Sequence, residues 1–160
     1  MICKHLPLHD KAILGLVKSL LLPYARITQP HVKLDLKALR KRLRGCVTYV
    51  YLRGGRRVCG FIAIRQDKNV MYVDMLAVDK TIQGLGIGSA LLKQAERYGR
   101  LKGQREIYLW VDDTNTQAQR FYTAKGYESI HYDATIRCYM LRKLLEVPQF
   151  QERQWSMGYQ

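Results

Sequence analysis

Gln83-Gly84-Leu85-Gly86-Ile87-Gly88-Ser89 follows an apolar run, Val73 to Val78, and opens a stretch with helical periodicity. A strand that feeds a glycine-rich turn and then a helix start is an anion cradle. Glycines let the backbone approach a ligand, successive N–H groups point outward unpaired, and the helix dipole adds partial positive charge at the same spot. A phosphorylated ligand is the expected occupant. Two other phosphate loops do not fit. The loop ends Gly88-Ser89 with no lysine, so it lacks the Gly-Lys-Ser/Thr ending of a P-loop. A dinucleotide fingerprint needs Gly-x-Gly-x-x-Gly directly after its strand, whereas here five residues separate Gly84-x-Gly86-x-Gly88 from Val78. The three glycines by themselves leave open a softened turn that merely starts a helix.

A second pattern follows, Asn115-x-x-Ala118-x-x-Phe121-Tyr122-x-x-x-Gly126-Tyr127. Together the two segments resemble the GNAT superfamily of acetyltransferases, which move an acetyl group from acetyl-CoA to an amine. The family's first motif, Gln/Arg-x-x-Gly-x-Gly/Ala, is matched by Gln83, Gly86 and Gly88. Its second, Asn-x-x-Ala-x-x-x-Tyr-x-x-x-Gly-Phe/Tyr, is matched at every stated position. The resemblance covers roughly Val70 to Tyr127 and implies a single-domain α/β fold: a mixed, mostly antiparallel sheet flanked by helices, with the cofactor at the N-terminus of the glycine-loop helix. The domain is expected over residues 1–145, with 146–160 as a C-terminal extension of unassigned role that contains Pro148, Phe150, Trp155 and Tyr159.

The resemblance also assigns roles. Acetyl-CoA is the implied co-substrate. Its pantetheine arm would lie along Leu76, Ala77 and Val78 like an added strand. Its pyrophosphate would take N–H groups from Gly84, Leu85, Gly86, Ile87, Gly88 and Ser89, with Gln83 completing the motif. Asn115 would bind the pantetheine, or simply cap the next helix. Tyr122 is the expected catalytic hydrogen-bond donor near the thioester sulfur. A phenol of pKa about 10 protonating a thiolate whose thiol has pKa about 8.5 is uphill by roughly 2 kcal/mol, so stabilising the thiolate or relaying a proton fits better than acting as a free-standing acid. Asp74, a lone acid in an apolar strand, is the leading candidate base, with pairing to an arginine as the alternative. Asp112 and Asp113 are candidates to hold a cationic acceptor. Some protein N-terminal acetyltransferases of the superfamily carry a glutamate where Trp110 stands, a departure that weighs against that substrate class. His131 receives no role.

Composition agrees with one packed domain. The chain has 160 residues and is 48% hydrophobic. Four cysteines, at 3, 46, 59 and 138, form no Cys-x-x-Cys pair or zinc spacing, so free thiols and no metal are expected. Ala12 to Leu22 is interrupted by Lys18, and no small-residue cleavage site follows. A cytoplasmic, membrane-independent protein, monomeric or homodimeric, is the expectation.

Charge is uneven. Residues 1–70 hold 15 Lys/Arg against 3 Asp/Glu, whereas residues 71–160 hold 12 against 10. The densest piece is Lys37-x-x-Arg40-Lys41-Arg42-x-Arg44. A solvated face and an acidic protein or nucleic-acid partner both remain open.

The periodicity predicts a short strand at Ile2–Leu6, a helix capped by Asp10, and a second helix from Pro30 to Arg44. A hairpin over 46–64 around Gly54-Gly55 and a strand at Val70–Val78 follow. The glycine-loop helix then runs to about Lys102, closed by Gly103. A strand at Ile107–Val111, a helix at Asn115–Lys125 and a closing hairpin to Leu144 complete the pattern, with one parallel pair across the 87–102 helix. The expected activity is acetyl-CoA-dependent acetylation of a primary amine, on a small molecule or protein. A catalytically weak CoA-binding regulatory module and a nucleic-acid-associated protein using the basic half are the alternatives.

Overall fold

The computed structural model describes residues 1–146, and the expected C-terminal extension lies outside them save for Glu146. Seven strands form one sheet in the order β1-β2-β3-β4-β5-β7-β6. They are β1 (Ile2–Lys4), β2 (Cys46–Arg53), β3 (Arg57–Asp67), β4 (Val70–Val78), β5 (Glu106–Asp112), β6 (Glu128–Asp133) and β7 (Cys138–Leu144). All neighbours are antiparallel except β4 and β5, which run parallel because a helical crossover connects them. The closing hairpin returns so that β7, not β6, lies beside β5. Strand periodicity cannot reveal that order.

Among the described residues five α-helices cover the sheet: α1 (Asp10–Leu16), α2 (Leu22–Thr28), α3 (Leu36–Arg44), α4 (Ile87–Leu101) and α5 (Thr116–Ala124). One core joins α4 and α5 to the sheet through Ile87, Leu91, Ala95 and Tyr122 against Ile62, Ile64, Ile107 and Leu109. The other joins α1 and α3 to the opposite face through Ile13, Val17, Leu39 and Leu43 against Val50, Phe61 and Ala63. Each such fully buried aliphatic side chain contributes about 1.5–3 kcal/mol.

One residue of β4 decides which face its side chains reach. The register with β3 runs Ala63 to Met75 and then Ile64 to Val73, so Asp74 is an extra, unpaired residue, a β-bulge. Before the bulge Met71 and Val73 point to the α4 core; after it Met75 and Ala77 point to the α1/α3 core. A one-residue slip exchanges faces because side chains alternate with period two.

Two helix starts differ from the sequence reading. Asp10 is not a cap but the first residue of α1, and its carboxylate turns inward to His5 Nε2 (2.5 Å) and Arg40 Nε (2.9 Å). The helix expected at Pro30 begins instead at Leu36, where the Asp35 carboxylate accepts a hydrogen bond from Ala38 N at 2.7 Å. A side-chain acceptor for the first-turn N–H groups outweighs a proline's fixed φ as a start signal. Between α1 and α2, Val17–Leu21 form a π-helical turn just ahead of Pro23, which has no N–H to continue the ladder.

Candidate active site

β4 and β5 pair only through Met71–Ile107, Tyr72–Tyr108 and Val73–Leu109. Beyond these, β4 keeps its ladder with β3 as far as Val78, and β5 keeps its ladder with β7 as far as Asp112. From Asp74 onward the two strands part, and the edge of β4 offers backbone groups to a gap instead of a neighbouring strand. The bulge sits where the separation starts.

The glycine loop closes one end of this gap. Gly84 and Gly86 have φ of +81° and +82°, a left-handed conformation that side-chain-bearing residues rarely adopt. Gly86 is the N-cap of α4, so the N–H groups of the helix's first turn have no intrahelical acceptor. Gln83 Nε2 donates to the Val78 carbonyl at 3.0 Å and anchors the loop to β4. A Cβ on Gly88 would stand 3.5 Å from the Phe121 ring, an ordinary contact distance, so α4 meets α5 at this point without crowding.

Eleven of the twelve positions expected to bind the cofactor line one cleft of about 480 Å³: Leu76, Ala77, Val78, Gln83, Gly84, Gly86, Ile87, Gly88, Ser89, Asn115 and Tyr122. Leu85 is the exception, with its side chain 71% exposed. Leu20, Leu21, Tyr24 and Gln117 also line this cleft and were not foreseen. Leu20 and Leu21 lie in the π-helical turn and Tyr24 in α2 just after it, and the only sequence signal for the π-helical turn is Pro23 inside an apolar helical stretch.

A second cleft of about 420 Å³ lies on the other side of the gap, lined by Gln29, Lys33, Arg42, Asp74, Trp110 and Asp112 among apolar neighbours. The two clefts share Leu21, Tyr24, Leu76, Asn115, Ala118 and Tyr122. Tyr122 is thus at the junction. Its ring packs edge-on against Phe121 and Tyr127, with centroids 5.2 and 5.6 Å away, and its hydroxyl has no hydrogen-bond partner among the described residues. Burial raises its pKa far above the usual 10, so the phenol is neutral at physiological pH and acts as a donor.

Asp74 lines the second cleft, where arginines surround its carboxylate. Arg42 donates to both of its oxygens, from Nε at 2.8 Å and Nη2 at 3.3 Å, and Arg65 Nε stands 3.7 Å away. The pairing with arginine that the sequence left as the alternative is thus present, with two guanidinium groups beside this carboxylate. Nearby, burial and then the Asp74 charge push the Cys46 thiol up to about 11, which keeps it protonated. Asn115 caps α5, its Oδ1 accepting from Ala118 N at 3.1 Å, while lining both clefts. Asp112 borders the second cleft, and its Oδ1 accepts from Thr114 N and Oγ1. Asp113 is turned away to Tyr132 and Arg137. His131 packs against Trp110, at a centroid distance of 6.4 Å.

Residues 16–127 match the family model described as the acetyltransferase (GNAT) family. The chain belongs to the GNAT family. An uncharacterized N-acetyltransferase of Methanocaldococcus jannaschii is 34% identical over 70 residues, 44% of this chain and 31% of that protein. A second from the same organism is 42% identical over 72 residues, 44% of this chain and 46% of that protein. The chain spans less than half the length of these curated relatives. Among solved structures, the PaiA N-acetyltransferase of Thermoplasma acidophilum in complex with coenzyme A superposes with TM-score 0.74 at 17% identity, covering 90% of this chain and 98% of its own. That likeness establishes the GNAT fold. Among the described residues no helix is long and apolar enough to cross a membrane.

Proposed function

We propose that this GNAT chain is an acetyl-CoA-dependent N-acetyltransferase acting on a primary amine. The observation that carries the reading is the parting of β4 and β5, with a helix N-terminus at one end of the gap and Tyr122 where the two clefts meet. When bound, acetyl-CoA supplies a thioester, an acyl group already activated towards an amine.

The chain's own residues supply position and charge. The free edge of β4 offers N–H and C=O groups to an extended, amide-containing arm, as an added strand would use them. The N–H groups of the loop and of the first turn of α4 suit a pyrophosphate. Tyr122 offers a neutral O–H at the junction. Because its acidity is weaker than a thiol's, it stabilises negative charge developing on a departing sulfur by hydrogen bonding rather than by giving up its proton. Apolar residues on both sides of the junction exclude water, which strengthens that hydrogen bond.

An amine of pKa about 10.4 is only about one part in 2,500 neutral at pH 7, so its proton must leave before attack. Asp112 keeps one carboxylate oxygen outside its turn hydrogen bonds and is the acidic group in the second cleft suited to an acceptor ammonium. The test is a panel of primary amines with acetyl-CoA, reading thiol release and acetylated product together. Saturable release matched one for one by product supports the reading. A panel in which no amine accelerates thiol release overturns it.

A further inference from the structure

The cations of α3 divide into two sets. Arg40 and Arg42 flank the buried Leu39–Leu43 stripe and are matched to acids of the chain, Asp10 and Asp74. Lys37, Lys41 and Arg44 lie together on the outward face by the 100° helical step, are exposed, and have no ion-pair partner among the described residues. Asp35, the nearest acid at the start of α3, is used as its N-cap. Favourable interaction with the helix dipole accounts for cations in the last turn, but Lys37 sits in the first turn, where a cation is unfavourable. Lys33, also exposed and unpaired among the described residues, precedes Lys37 by four residues and lines the second cleft.

We propose that these outward cations dock an acidic peptide whose amine is the acceptor, the peptide running from α3 past Lys33 into the second cleft and to the Tyr122 junction. The proposal rests on the acetyl-transfer reading above. Charge decides the partner: a basic rim repels polycationic acceptors, and negative residues flanking the amine offset that repulsion. Lys37 to Arg44 covers about 10 Å, the span of about three extended residues, so the acidic determinant is short. The apolar second cleft suits the amine-bearing residue. A nucleic acid fits less well, because its exocyclic base amines are weak nucleophiles and the outward face of α3 carries no aromatic side chain for base stacking.

The test uses the full chain and three synthetic peptides with blocked N-termini and the same lysine side-chain amine, followed by an acidic, a neutral or a basic triplet. Fluorescence anisotropy of labelled peptide, with and without acetyl-CoA, reads docking; product formation reads kcat and KM. The acidic peptide is expected to bind at least tenfold tighter than the neutral one, with an advantage that shrinks as salt rises. The triple variant Lys37→Glu/Lys41→Glu/Arg44→Glu, its fold checked by thermal melting, is expected to lose that preference and to raise KM for the acidic peptide with little change in kcat. Equal binding of the three peptides overturns the proposal, as does a charge-reversed variant that keeps the preference, or a single-stranded oligonucleotide that outcompetes the acidic peptide. Acetyl-CoA that binds and reacts with simple amines while peptide charge is ignored sinks the docking alone. Acetyl-CoA that does not bind sinks the acetyl-transfer reading, and anisotropy still reports on the docking.

Discussion

Arg42 on α3 holds both carboxylate oxygens of Asp74, the bulged residue at which β4 leaves β5. The pair ties the basic helix to the strand edge that faces the cofactor cleft. Arg42 is about half exposed, so the pair is worth under about 1 kcal/mol after solvent screening. Asp74→Asn is therefore expected to lower stability by that amount at most. It should change kcat less than about threefold and leave the shape of the pH–rate profile intact. A base in this position would cost 10²-fold or more. Steady-state kinetics from pH 6 to 9 separate the two.

Tyr122→Phe removes only an oxygen that has no internal partner. Thermal stability should change little, because no hydrogen bond among the described residues is lost. The rate should fall about 10- to 100-fold, with acetyl-CoA affinity kept within a few-fold. Paired calorimetry and kinetics check this split. Equal losses in binding and rate would mean that Tyr122 merely shapes the cleft.

Stability should depend on pH at both extremes, with opposite signs. Burial raises the Tyr122 pKa, and burial followed by the Glu96 charge raises that of Tyr127. A raised folded pKa leaves stability intact below the unfolded value of about 10 and erodes it as pH climbs from there towards the folded value. Asp10 works the other way. Burial alone would push its carboxyl up, but hydrogen bonds from Arg40 and His5 outweigh this and hold it below 3.8. Its contribution is present above that value and is lost as pH falls through the lower folded pKa. Urea midpoints across pH 3–11 should show both limbs, and Asp10→Asn should flatten the acid one.

The glycines of the loop are not equivalent. Gly86→Ala forces a side chain into φ +82° and should cost about 1 kcal/mol, read as a lower melting temperature. Gly88→Ala meets the Phe121 ring at ordinary contact distance and should be milder.

The sequence made the strand–loop–helix unit legible because its signals are local: glycines at positive φ, a left-handed Gly103 cap at φ +73°, and the stripe of Ile87, Leu91 and Ala95. Val70–Val78 matched to the residue. The bulge at Asp74 was invisible, since apolar residues at 71, 73, 75, 76 and 77 fit either face and show no break when the faces exchange. The sequence left Asp74 open between a base and an arginine partner, and it could not name Arg42, which is 32 residues away and is brought near only by the packing of α3. The same limit hid Leu20, Leu21 and Tyr24: their apolar spacing looks like core until the π-helical turn sets them over the cleft. The start of α3 was missed because Pro30 drew attention from Asp35 five residues on.

The measurement that bears most directly on the cofactor cradle is calorimetric titration of acetyl-CoA into the wild-type chain and into Ser89→Glu. Glutamate in the first turn of α4 is compatible with the helix dipole and should leave folding intact, yet it sets a carboxylate among the N–H groups assigned to the pyrophosphate. Stoichiometric binding to the wild type, weakened at least tenfold in a variant that melts no lower, is the predicted result. Equal affinity in both chains would contradict the pyrophosphate site, and no binding to the wild type would contradict acetyl transfer itself.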